Sequence, residues 1–183
     1  MIYLMRHGLD DESYVGGYSN VGLIDEGVKQ VEDSIQFISN LKINKIVCSD
    51  VLRARQTASI VNNKLHKDIE VSSSLRELDK GVLNGMDKKK AHELYPQYFN
   101  NVGIYDRYPF GESMFDLYVR ISKLLESIDK YDNNLLVTHR GVINMLYCIL
   151  NEINLDMNKE RFNVTHASIH ELDIQKKKIR RIY

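Results

Sequence analysis

Three short, mostly apolar runs, each leading into a helical pattern, constrain this chain more than any other feature. They are Met1–Met5, Lys45–Cys48 and Leu135–Thr138. Runs of this length feeding segments of 3.6-residue periodicity read as buried strands that return to their sheet through helices, the pattern of a parallel α/β sheet. After the first run, Val28, Val31, Ile35 and Ile38 mark a helix over Asp25–Leu41. Leu52, Ala54, Ala58, Val61 and Leu65 mark the second, with Ser49 or Asp50 as its expected cap. Val142, Ile143, Leu146, Ile149 and Leu150 mark another over Gly141–Asn151. Between these units, Ser113–Lys130 carries a long apolar stripe that starts on a Ser113/Asp116 capping box.

The intervening segments are less regular. Leu9–Gly22 and Tyr98–Phe110 read as loops, and Ala91–Tyr95 as a short helix stopped by Pro96. Ile69–Val71 reads as a brief strand, and the tail as two strands, Thr165–Ile174 and Ile179–Tyr183, around Lys176–Lys178. The expectation is one domain, residues 1–183, of βα units with a β-rich finish.

Charge excludes some partners. Lys plus Arg and Asp plus Glu number 25 each, so no global field favours nucleic acid or a membrane surface, and an anion site must be built locally. Cys48 and Cys148 have neither zinc-ligand spacing nor the density of a secreted scaffold and are expected as reduced thiols. With neither a signal-peptide core nor a membrane-length apolar run, a cytoplasmic protein is expected.

Chemistry gathers where the strands end. Arg6-His7-Gly8 follows the first run and His139 follows Leu135–Thr138. The carboxyl ends of parallel strands share one edge, so the two histidines can meet in one pocket. Arg53 and Arg55 fall in the first turn of a helix, where the dipole disfavours a cation; they suit a nearby anion, or else are two solvated arginines. An imidazole beside a guanidinium and a glycine suits attack on a phosphoryl group.

Five blocks in order along the chain resemble the histidine phosphatase superfamily, the branch-one or phosphoglycerate mutase-like group. They are Leu4–Gly8, Cys48–Ala58, Leu75-Arg76-Glu77, Pro109–Ser113 and Val137–Gly141. The resemblance implies a three-layer α/β/α sandwich with a mostly parallel central sheet. It also implies a phosphatase that uses no metal or cofactor and acts on a small soluble phosphate ester. On this likeness His7 is the residue phosphorylated, Arg6 and Arg53 grip the phosphate, His139 steadies the transferring group and Glu77 is the general acid. Glu77 would then need a pKa raised by burial, or an acid-shifted optimum.

The chain departs from the family pattern at three places. Asp10 stands where a Thr or Ser is common and is expected to point away from a bound phosphate. Arg140 replaces a glycine and is expected on the surface. Gly17-Tyr18 replaces Gly-Trp, with Gly17 a candidate phosphate contact through its N–H. His66, His92, His166 and His170 are expected as ordinary surface or strand residues, and Arg120 as a structural ion-pair partner. Tyr98, Tyr105 and Tyr108 are expected to pack their loop. A phosphoglycerate mutase is the first rival reading, with Lys88–Lys90 and Arg107 as its extra cations. A phosphotyrosine or phosphohistidine phosphatase and a non-catalytic phosphate-binding module are the others. Oligomeric state and natural substrate are not legible.

Overall fold

The computed structural model describes residues 1–100, 102–158 and 161–183. Its centre is a six-stranded sheet of β1 (Ile2–Arg6), β2 (Lys45–Cys48), β3 (Ile69–Val71), β4 (Asn134–Thr138), β5 (Ile169–Asp173) and β6 (Lys178–Arg181), in the order β3-β2-β4-β1-β5-β6. The first four strands in that order run parallel; β5 and β6 add an antiparallel margin. The helices are α1 (Asp25–Ile38), α2 (Leu52–Leu65), α3 (Lys88–Leu94), α4 (Met114–Glu126) and α5 (Arg140–Leu150). None among the described residues is long and apolar enough to cross a membrane.

Alternation along the strands divides the interior into two cores, because successive side chains point to opposite faces. Met5, Ile46, Cys48, Leu135 and Val137 pack against Val31 and Ile38 of α1 and Ala54, Ala58 and Val61 of α2. Ile2, Leu4, Val47 and Leu136 face Leu117, Ile121 and Leu124 of α4 and Val142, Ile143 and Leu146 of α5. Helices on both faces of a mostly parallel sheet give the three layers. Since α1 leaves β1 on one face and α5 leaves β4 on the other, a crevice opens at the carboxyl ends of these adjacent strands.

Local boundaries differ from expectation in several places, among them α4, which ends at Glu126 rather than Lys130, and β6, which spans Lys178–Arg181 rather than Ile179–Tyr183. Ser49 and Asp50 do not cap α2; Val51 holds that position without a side-chain bond, because Asp50 is engaged by Arg76 and Ser49 by His139. α3 begins at Lys88, three residues early, since Asp87 caps it by accepting from the Lys90 N–H at 3.0 Å. α1 stops at Ile38 rather than Leu41. β5 begins only at Ile169, which leaves Thr165–Ser168 as a loop beside the end of β1. The Ser113/Asp116 capping box is present at α4.

Candidate active site

Parallel pairing sets the two histidines side by side. Arg6 is in register with Thr138, and the His7 N–H bonds the Thr138 carbonyl at 3.0 Å, so His7 and His139 are the next residues on each strand. Their rings lie 5.1 Å apart and both are buried. Nδ1 of His7 is 2.7 Å from the Gly8 carbonyl oxygen. That oxygen can only accept, which puts the proton on Nδ1 and leaves the lone pair on Nε2. Nε2 of His7 receives the Arg53 Nε–H at 3.1 Å. By the same reasoning His139 accepts at Nδ1 from Arg53 Nη2 (3.2 Å) and donates from Nε2 to Ser49 Oγ (2.9 Å).

Arg53 is fully inside this group and links it together. Its Nη1 donates to Ser19 Oγ at 3.1 Å and its Nη2 to the Gly17 carbonyl at 2.9 Å. It reaches the crevice from the first turn of α2, whose next turn supplies Thr57; the Thr57 hydroxyl receives the Gly8 N–H and donates to the Arg53 carbonyl. Arg55 of the same turn is exposed. Arg6 donates from Nη1 to the Val164 carbonyl at 2.8 Å and from Nη2 to His166 Nε2 at 2.5 Å, while its buried Nε has no partner. A buried guanidinium N–H without a partner costs free energy that an acceptor placed beside it would offset.

Glu77 enters from the opposite side. Its Oε1 accepts from the Leu78 N–H (2.9 Å) and its Oε2 from the Gly141 N–H (3.1 Å) at the start of α5. A Cβ at Gly141 would lie 2.0 Å from Oε1, so glycine is what lets the carboxylate seat there. Arg120 fixes the Glu77 segment from behind, bonding the Ser74, Arg76 and Glu77 carbonyls and both carboxylate oxygens of Glu112. The expected structural role of Arg120 is therefore met.

Electrostatics follow from this packing. Burial, with the charges of Arg53, His139 and Arg6, drives His7 well below the ordinary histidine range. Burial and Arg53 take His139 down to about 3. Burial alone would raise Glu77, but His139, the two backbone N–H groups and Arg53 together outweigh it and bring the carboxyl down to about 2. Of the two sequence expectations for Glu77, an acid-shifted optimum or a raised pKa, the raised pKa is reversed in the free protein, because burial there comes with donors.

Three expectations are overturned. His166 is no ordinary residue: it bonds Arg6, and its ring lies 5.6 Å from that of His7, placed there by the Thr165–Ser168 loop. Asp10 does not turn away. Its Oδ2 stands 3.4 Å from Arg53 Nε and it is only 13% exposed. The loop before α1 holds it inward, as Ile24 N–H bonds the Leu9 carbonyl and Asp10 bridges Leu23. Arg140, the first residue of α5, lines the pocket instead of the outer surface. Gly17 lines it too, at φ 73°, but turns its carbonyl to Arg53.

Other residues fall as expected. Tyr98 stacks on buried Tyr108, Tyr105 lies against Phe115, and none of the three lines the pocket. Arg107 pairs with Asp116 away from the site, whereas Lys88 lines the pocket. Cys48 is buried and Cys148 half-buried, both reduced. His7, Asp10 and His166 bring donor atoms within 4.8 Å of one another, a spacing that a metal ion can use. With Arg53 and Arg6 donating into the same imidazole nitrogens, the local potential favours an anion over a cation.

Comparison with known proteins places this geometry in a lineage. The chain is 32% identical over 185 residues to a probable phosphoglycerate mutase (GpmB) of Escherichia coli O1:K1, covering 95% of this chain and 85% of that protein. It is 28% identical to the 6-phosphofructo-2-kinase/fructose-2,6-bisphosphatase of Caenorhabditis elegans over 81% of this chain, yet spans only 33% of that longer protein. A mycobacterial glucosyl-3-phosphoglycerate phosphatase shares the fold, with a TM-score of 0.79 at 21% identity over 99% of this chain and 96% of the other. The sequence profile of the histidine phosphatase superfamily, branch 1, matches residues 2–182, and the chain belongs to that family.

Proposed function

We propose that the protein, acting as one domain, hydrolyses a small phosphate monoester through a phosphohistidine formed at Nε2 of His7. The observation that carries this reading is the fixed tautomer of His7: Nδ1–H is committed to the Gly8 carbonyl, so the lone pair of Nε2 opens on the anion cage. Arg6 and Arg53 hold the equatorial phosphoryl oxygens through forked, charge-assisted bonds, and no metal is needed to offset the charge. His139, its ring 5.1 Å from that of His7, steadies the transferring group beside Nε2.

Bond changes balance in two steps. Nε2 attacks phosphorus, the N–P bond forms as the P–O ester bond breaks, and the leaving oxygen takes a proton from the Glu77 carboxyl. Glu77 is ionised in the free protein, so that proton arrives with the monoanionic ester. Water then attacks phosphorus as the N–P bond breaks and gives a proton to the Glu77 carboxylate; phosphate departs as the monoanion with that proton, leaving His7 free and Glu77 ionised.

The test is a rapid alkaline quench with a labelled ester and chelator present, followed by mapping of the phosphorylated peptide. Label at His7 with release of free phosphate is expected; neither label nor release across a varied ester panel overturns the reading. A mutase is the second reading, favoured by the Escherichia coli relative and by Lys88 at the pocket. Interconversion of 3- and 2-phosphoglycerate in a coupled assay decides for it.

A further inference from the structure

The pocket does not end at the phosphate cage. Beyond Glu77 it continues between Met114 and Leu117 of α4, Met145 and Cys148 of α5, and Met157 and Phe162 of the segment after α5. These six form one apolar wall. Phe162 is stacked face to face on Tyr147 at 4.6 Å, which fixes its ring, and the three methionines supply unbranched, adaptable surface. Leu117 and Met145 are buried core residues, so the base of the wall is rigid. Charge around the pocket is mixed: Lys80, Lys88 and Arg140 line it with Asp10, Glu12 and Asp156, the last already paired with Arg161.

From this wall we infer that the body of the ester, the part that leaves with its oxygen, is an apolar alkyl or aryl group. It is not a polyhydroxylated sugar. Tyr14, Arg140, Asn144 and Asn158 line the pocket too, but a sugar filling it would still lay hydroxyls against the six apolar side chains, which costs free energy for each bond left unmade. An apolar body gains instead, because it leaves water together with the thioethers and the Phe162 ring. This inference rests on the phosphohistidine reading for the position of the phosphoryl group; the wall itself stands apart from it.

The experiment uses two homologous series on the whole protein, n-alkyl phosphates and non-hydrolysable n-alkylphosphonates from ethyl to hexyl. Leaving-group reactivity is nearly constant along the esters, so the trend in kcat/KM reads binding of the chain. Both kcat/KM and calorimetric phosphonate affinity are expected to rise about fourfold per methylene. The slope is expected to flatten in Phe162→Ala and in Met157→Ala. A flat phosphonate series, or a hexose phosphate or phosphoglycerate turned over faster than hexyl phosphate, overturns the inference. Rising phosphonate affinity without turnover supports the wall and removes the hydrolase reading, so the two failures are distinct.

Discussion

Arg53 Nε and His7 Nε2 are hydrogen-bonded at 3.1 Å, so in the free protein the lone pair of the proposed nucleophile is occupied by the cation that is to receive the phosphate. The incoming phosphoryl group must slide between them and exchange that bond for its own. A lysine keeps the charge but cannot reach His7, His139, Gly17 and Ser19 together. Arg53→Lys is expected to lower kcat/KM by about 10²–10³ in steady-state assays. A loss under about fivefold would argue that charge alone matters.

Glu77 sets the leaving-group dependence. Glu77→Gln is expected to lose about 10²–10⁴ in kcat with an alkyl ester, whose alkoxide needs a proton, and far less with nitrophenyl phosphate. Because Glu77 is held at about 2 in the free protein, the proton must come from the ester. For the native protein kcat/KM is therefore expected to fall as pH rises through about 6, where the phosphate monoester loses its second proton. A profile flat from pH 5 to 8 contradicts this proton path.

Gly141→Ala tests the seat of that carboxylate. The new Cβ would sit 2.0 Å from Glu77 Oε1, so the side chain must leave the α5 N-terminus. Activity toward alkyl esters is expected to drop as far as in Glu77→Gln, with the melting temperature changed by only a few degrees.

Asp10 puts a negative charge into an anion site. Burial raises its pKa and Arg53 opposes that rise, which leaves it a partial competitor for the phosphate. The charged groups facing it are Arg53 from α2, Arg6 from β1 and Glu12 from its own loop. Asp10→Asn is expected to tighten inhibition by inorganic phosphate about tenfold at pH 8, an effect that shrinks as acidification protonates Asp10. Weaker inhibition in the variant would show that Asp10 assists the anion.

Acid should destabilise the fold through its histidines. His139 and His166 are held near 3 and His170 near 4 by burial, and His7 is also low, against 6.5 in an unfolded chain. Between those values the unfolded chain binds protons that the fold refuses, so stability falls as pH drops below 6.5. Each histidine adds a slope of up to about 1.4 kcal/mol per pH unit. Urea midpoints measured from pH 7 to 4 should decline accordingly, and a constant midpoint is incompatible with neutral buried imidazoles.

Much of this was legible before any coordinates. β2 and β3 match their apolar runs residue for residue, and the capping box at Ser113 fixed the start of α4, because these signals are local. His7, Arg53, Glu77 and His139 carry motif residues, and the fold brings them together. What escaped depended on distant partners. His166 precedes a strand that lies against β1 only in the folded sheet, and no nearby residue marks it. Asp10 is turned inward by a bridge to Leu23, and the ionisation of Glu77 depends on a backbone N–H that lies 64 residues along the chain. Pairings of that range leave no periodic trace.

The pairing of Arg6 with Thr138 also makes turnover a gauge of strand alignment. His7 and His139 are contributed by strands that start 132 residues apart, and the ladder between β1 and β4 sets them level with each other. A slip of one residue would displace one imidazole by about 3.3 Å and turn it to the other face of the sheet. A chain that refolds with helices and compactness restored but with the wrong alignment would look native by circular dichroism and be silent toward substrate. Recovered activity after denaturation therefore counts correctly zippered sheets, molecule by molecule, which no bulk spectroscopic signal of this fold can do.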